Sequence, residues 1–336
     1  MSMGNFQVSV IIPVYNAADY VRQAVESALA QPETTEVILV EDGSPDDSLD
    51  VCQQLAAEYP KVHLHRHPDG KNHGAGATRN LAIRKSSCEY IAFLDADDYF
   101  LPGRFVNAQR LFETHVDIDG VYEAIAMHIE NEAGAQRWLA AGRSQQRLIT
   151  MTKHVLPEEL FETLVLGGNG GFHIDGLILK RKVIEKTGYM DEDLPLHQDS
   201  ALIFKVAGVA KLMPGSLEEP VVRLRVHDHN RISAPRPKSA VYTMKLKFWY
   251  TMWTWSRTHL GLERQNLLLQ ALIDDARYKS RFNTPFPKRL YGLQKRVQLL
   301  LLPFDYPAAL KEQAFWGAFF MIQPKRWFRN IWNKTR

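Results

Sequence analysis

Three carboxylates fall within four positions in IAFLDADDYF (91–100): Asp95, Asp97 and Asp98. Like charges this close repel, and buried ones are costly unless a cation compensates. Hard divalent cations such as Mg²⁺ or Mn²⁺ favour carboxylate oxygens and share their open positions with substrate phosphates. In an extended segment Asp95 and Asp97, two apart, would point the same way. The alternative is a polar turn in which Asp97 or Asp98 caps a helix starting near Pro102.

Four other stretches carry chemistry. EDGS (41–44) puts acids ahead of a glycine and a helix cap; Asp42 there suits a nucleobase imide or ribose hydroxyl, or else capping of the helix after Ser44. NHGAGATRN (72–80) places glycines before a helix and then Arg79, a pattern that favours phosphate. LPLHQDSALIFKVA (194–207) puts Asp199 at the start of an amphipathic helix, as general base or N-cap. RLRVHDHNRIS (223–233) offers His227, His229 and Arg231 to a metal shell or a phosphate.

The elements that must position these residues alternate in type. VSVIIPVYN (8–16) and EVILVED (36–42) read as strands buried on both faces, with Pro13 marking the end of the first ladder. KVHLHRH (61–67) and EYIAFLDA (89–96) follow as strands, and helices are expected over 17–30, from Ser44 and Pro45 onward, and over 75–85. Repeated β-α-β units imply an α/β fold with a mainly parallel sheet flanked by helices. Ligands in such sheets bind beyond the carboxyl ends of the strands, where Tyr15, Asn16, Asp42, Asp95 and Asp97 fall. Residues 239–336 read as mostly helical.

Composition excludes several classes. The 336 residues are 45% hydrophobic and 24% charged, with two cysteines, Cys52 and Cys88, far apart. That usage fits a reducing cytoplasm and packing roles for both thiols. No signal peptide and no apolar run of the ~20 residues needed to span a bilayer is expected. Charge is uneven: residues 281–336 hold eleven Lys and Arg against two acids, interleaved with Trp316, Trp327 and Trp332. Such a tail suits peripheral contact with an anionic membrane surface, or an ordinary solvated helical face. No nucleic-acid partner is expected.

Taken together, VSVIIPVYN, EVILVEDGSPDDS, GAGATRN, YIAFLDADD and HQDSALIFK resemble glycosyltransferase family 2, nucleotide-sugar-dependent enzymes of Rossmann-like GT-A fold. The resemblance covers roughly 6–235. It implies a GT-A domain over 1–238, with a nucleotide-binding half (1–115) and an acceptor-binding half (116–238), before the helical region 239–336. It implies that Pro13, Tyr15, Asn16, Asp42 and Arg79 bind the donor nucleotide, most often a uridine. Asp95 and Asp97 would form the DXD pair, with Asp97 and His227 on Mn²⁺ or Mg²⁺. Asp199 matches the base of the inverting members, while Gln198 replaces their usual Glu. Acceptor contacts are expected from Gln198 and from His173 and Asp175, which lie in the Gly-rich loop GGNGGFHIDG (167–176).

The implied function is sugar transfer from a UDP-sugar to a glycan or lipid-linked hydroxyl. The implied setting is bacterial surface-polysaccharide synthesis at the cytoplasmic face of the membrane. Two rivals are a catalytically impaired glycan- or partner-binding module and a nucleotidyltransferase that makes sugar nucleotides. The second lacks the expected Gly-rich first loop.

Overall fold

Seven strands form the central sheet of the first of two compact units, Met1–Pro235 and Arg236–Arg336. A computed structural model describes residues 6–142, 148–234 and 236–276. The strands are β1 (Val8–Val14), β2 (Thr34–Glu41), β3 (Val62–Arg66), β4 (Tyr90–Phe93), β5 (Tyr99–Phe100), β6 (Gly120–Tyr122), β7 (Ile125–Ile129), β8 (Leu148–Ile149), β9 (Leu177–Lys180), β10 (Leu212–Pro214) and β11 (Val222–Val226). The helices are α1 (Val21–Leu29), α2 (Ser48–Glu58), α3 (Gly74–Lys85), α4 (Val106–Thr114), α5 (Glu132–Ala140), α6 (Pro157–Leu166), α7 (Lys182–Thr187) and α8 (Gln198–Val209).

The central sheet runs β10-β6-β9-β4-β1-β2-β3, and β9 alone is antiparallel to its neighbours. Strand order reverses between β1 and β4, which opens a crevice at their carboxyl ends. A second sheet, β5-β11-β7-β8, lies beyond that end and pairs β11 with the short β5 that follows the Asp95–Asp98 turn.

Burial explains the elements. β1 and β2 carry Val, Ile and Leu with almost no exposed surface, as continuous apolar runs require. On α1, Val21, Ala24, Val25 and Ala28 recur at helical spacing and pack into the same core as Val10, Ile12, Leu39 and Phe105. Each fully buried Val, Leu or Phe contributes about 1.5–3 kcal/mol.

Several boundaries differ from the sequence expectation. Pro13 sits inside the β1 ladder opposite Val40, and the strand ends at Val14. The first helix starts at Val21 rather than 17, because the amides of Ala17 and Ala18 are held by Ser48, the first residue of α2, and by Asp46 in the loop before it. For the same reason α2 starts at Ser48: Ser44 accepts a hydrogen bond from the Asn16 amide instead of capping a helix. β4 stops at Phe93, so Asp95–Asp98 form a tight turn closed by the Asp98 amide on the Asp95 carbonyl at 3.0 Å.

In the second unit the described helices are α9 (Lys238–His259) and α10 (Leu262–Ala276), which pack together. Leu246, Phe248, Met252, Trp253, Leu268, Leu269 and Leu272 are buried. No described helix is long and apolar enough to cross a membrane. The basic segment 281–336 lies outside the described residues, and so does its expected membrane contact.

Candidate active site

The loop after β1 is built from three consecutive amides. Those of Asn16, Ala17 and Ala18 donate to Ser44 Oγ (3.1 Å), Ser48 Oγ (2.8 Å) and Asp46 Oδ2 (3.0 Å). Asn16 adopts a left-handed backbone (φ 52°), which asparagine tolerates better than most residues. Tyr15 beside it is half-exposed, and Pro13 lies just below in the strand.

Asp42, at the end of β2, is buried at 2% exposure. Its two oxygens accept from the amides of His73 (2.7 Å) and Gly74 (2.9 Å), at the entry to α3. The carboxylate therefore anchors the 70–74 loop, a role that neither sequence expectation, contact with a base or ribose or capping of the helix after Ser44, included. Close approach there needs glycine: a Cβ on Gly43 would meet the Asn72 amide nitrogen at 2.8 Å, and its φ is +68°. His67 stacks on His73, with ring centroids 4.2 Å apart, and its Nε2 lies 3.6 Å from Asp42.

α3 carries Arg79 into the turn after β4, where its guanidinium pairs with Asp95. Burial works against the Asp95 charge, but Arg79, His173 and Arg231 outweigh it and hold the carboxyl below its usual range. Arg79 Nε is buried with no hydrogen-bond partner among the described residues.

The sequence expectation of parallel side chains at Asp95 and Asp97 gives way to a division of labour, because the segment turns rather than extends. Asp97 Oδ2 faces His227 Nε2 at 3.1 Å and Asn230 Nδ2 at 3.1 Å. Asp98 caps no helix. It is buried and accepts the Arg225 amide at 2.7 Å. The Arg225 side chain donates to the Asp97 carbonyl and pairs with Glu130 and Gln23, between the rings of Tyr20 and Tyr99.

Asp175 was expected to touch an acceptor, but its side chain is fully buried. The 3-10 turn Ile174–Gly176 tucks it inward, and among the described residues no N–H group hydrogen-bonds to either carboxylate oxygen. Burial and the neighbouring Asp95 push its carboxyl up to about 6; burial, Asp97 and Asp175 raise Asp98 well above the usual range. Burial and mutual repulsion thus bias both carboxyls toward the protonated form. His173 stays partly exposed, with Nδ1 accepting from the Asp175 amide at 3.3 Å.

Asp199 sits in the first turn of α8, after His197, whose φ is +69°. It is not the cap residue, and no described donor hydrogen-bonds to it. A carboxylate in a first helical turn is favoured by the helix dipole, and its field reaches Arg79. Gln198, expected at the acceptor, is 5% exposed instead: it packs on Gly76, where a Cβ would come within 3.1–3.2 Å of its side chain.

A divalent cation fits this arrangement in part. Oxygens of Asp95, Asp97 and Asp98 lie within 4.8 Å of one another. Asp95 is committed to Arg79 and Asp98 to Arg225, which leaves Asp97 with the imidazole of His227 as the available donors. Arg225 and Asn230 were missed by sequence reasoning. Asn230, three residues past His227, accepts the His227 amide at 2.6 Å and so shapes the turn; Arg225 carried no signal.

The family described as "Glycosyl transferase family 2" matches residues 9–186. An uncharacterized glycosyltransferase of Rickettsia felis is 30% identical over 207 residues, covering 61% of this chain and 32% of its own. The succinoglycan biosynthesis protein ExoU of Rhizobium meliloti is 44% identical over 97 residues, covering 29% and 28%. This chain thus spans about a third of the first relative's length. Among solved structures, S. aureus TarS 1-349 aligns with a TM-score of 0.59 at 18% identity, covering 87% of this chain and 79% of that one. Its complex with UDP-GlcNAc aligns at 0.58. That likeness is one of fold. With more than half its length matched, the chain belongs to glycosyl transferase family 2.

Proposed function

We propose that this chain is an inverting glycosyltransferase that transfers a sugar from a UDP-sugar to a hydroxyl of a glycan or lipid-linked acceptor. Surface-polysaccharide synthesis at the cytoplasmic face of a membrane is the proposed setting. The observation that carries the reading is the meeting of Asp97 with His227, next to the Arg79–Asp95 pair, at the strand-order reversal. The succinoglycan role named for ExoU and the UDP-GlcNAc bound by TarS support the choice of product and donor.

In this reading Tyr15, Asn16 and the Asp42-anchored loop hold the nucleoside. Arg79 and Asp95 orient the sugar and diphosphate. Asp97 and His227 would hold Mn²⁺ or Mg²⁺, which when bound neutralises charge on the departing diphosphate. Asp199 removes the proton from the acceptor hydroxyl. The acceptor oxygen bonds to the anomeric carbon as its bond to the phosphate oxygen breaks, the electron pair leaves with UDP, and configuration inverts. His173, at the edge of the site, contacts the acceptor; Asp175 supports it from below.

The test is sugar release from a panel of UDP-sugars with Mn²⁺, for the parent and Asp199→Asn. Loss of a general base should slow turnover about 10²–10⁴-fold. Equal activity of the two proteins, or no turnover with any donor, overturns the proposal.

A further inference from the structure

Helix α3 faces two ways. Arg79 reaches Asp95, while the next residue, Asn80, is 1% exposed and turns toward a segment more than a hundred positions downstream. Its Oδ1 accepts the Met190 amide at 2.9 Å. Its Nδ2 donates to the Met190 carbonyl at 2.9 Å and to Glu192 Oε1 at 2.9 Å. One side-chain amide thereby satisfies both backbone groups of a single buried residue, as a neighbouring strand would.

That residue lies in the irregular stretch that leads to Asp199. From the other side Lys205, on α8, reaches Asp191 at 2.7 Å and the Tyr189 carbonyl at 3.3 Å. The stretch ends at His197 in a left-handed conformation, a state that a non-glycine residue holds only when its surroundings fix it. α3 touches α8 once more where Gln198 covers Gly76.

Resting on the function proposed above, we infer that Asn80 is a positioning residue that couples the donor side of the site to the placement of Asp199. A displacement of α3 through Arg79 is carried by the Asn80 amide into 189–192, and from there into the first turn of α8. Lys205 holds the same stretch, but its hydrogen bond and ion pair go to Tyr189 and Asp191 and not to α3, so it stiffens without transmitting.

The test is hydrogen–deuterium exchange of the full chain with and without UDP and Mn²⁺. In the parent, nucleotide should slow exchange at both 92–98 and 189–199. In Asn80→Ala the first response should persist and the second vanish, while basal exchange at 189–193 rises on the order of tenfold as two buried backbone groups lose their partners. Where Asn80→Ala folds poorly, Asn80→Asp takes its place: it keeps the size and the acceptor for the Met190 amide but loses both donated bonds, and the second response should vanish. Lys205→Met should raise basal exchange at 189–193 yet keep both responses.

A full response at 189–199 in the Asn80 variants overturns the inference, as does an equal loss in Lys205→Met, since either makes the contact mere packing. Slowing confined to 92–98 in the parent also overturns it. No slowing at either segment in the parent overturns the nucleotide-sugar reading, and this inference with it.

Discussion

Asp175→Asn should make this protein more stable at pH 8, although it alters a fully buried residue. Asp175 titrates near 6 in the fold against 3.8 ordinarily. Below the lower value both folded and unfolded chains hold the proton, and stability does not depend on it. Between the two, the unfolded chain is ionised while the folded chain keeps its proton, so stability falls as pH rises. Above about 6 the loss is complete, at about 3 kcal/mol for a two-unit difference.

An asparagine carries no charge, and its amide can donate to Asp98 beside it. For a unit of some 200 residues the gain corresponds to roughly 6–12 °C in melting temperature. Thermal melts at pH 5 and pH 8 measure it, because acid effects from carboxylates outside the Asp95–Asp98–Asp175 cluster are common to both proteins and cancel in the difference. The variant should gain most at pH 8 and less at pH 5. An equal gain at both pH values, or a lower melting temperature at pH 8, would refute the account of a buried carboxyl held protonated.

Arg104→Ala should destabilise by about 3–5 kcal/mol in urea unfolding, because it strands Glu123, fully buried at 2.8 Å from the guanidinium, without its partner. Arg104→Met should cost less than Ala, since its stem still fills the space beside Phe100 and Phe105. Gly43→Ala should cost about 1–3 kcal/mol through its positive φ and the contact with Asn72, and should weaken UDP binding in calorimetry by displacing the loop that Asp42 anchors.

The alternation of apolar runs and helical stripes made the parallel sheet legible, because β1, β2 and α1 are specified by local pattern alone. So was the place of Asp42, just past the end of β2. What periodicity could not convey was which polar residue meets which. Ser44, followed by proline, reads as a helix cap, yet it serves a loop 28 residues upstream. The DAD triplet reads as two parallel carboxylates because the end of β4 is invisible in the sequence. Asp175 in a Gly-rich loop reads as exposed, and only the packing of β9 against β4 and β6 shows it to be interior. Arg225 carried no signal because its partners lie up to 202 positions away.

The side-chain bracing of Asn16, Ala17 and Ala18 has a chemical corollary. In dinucleotide-binding folds of similar topology, the free amides at the first strand–helix turn form the anion cradle. Here the amides of Asn16, Ala17 and Ala18 are already satisfied by Ser44, Ser48 and Asp46, so these three are not free for phosphate. An anion at this sheet is then met from other elements: by the N-terminus of α3, by full charges such as Arg79, or by a bound cation. Affinity for a diphosphate in this protein should accordingly follow the supply of divalent ion and the charge on α3, and be indifferent to glycine substitutions in the first turn.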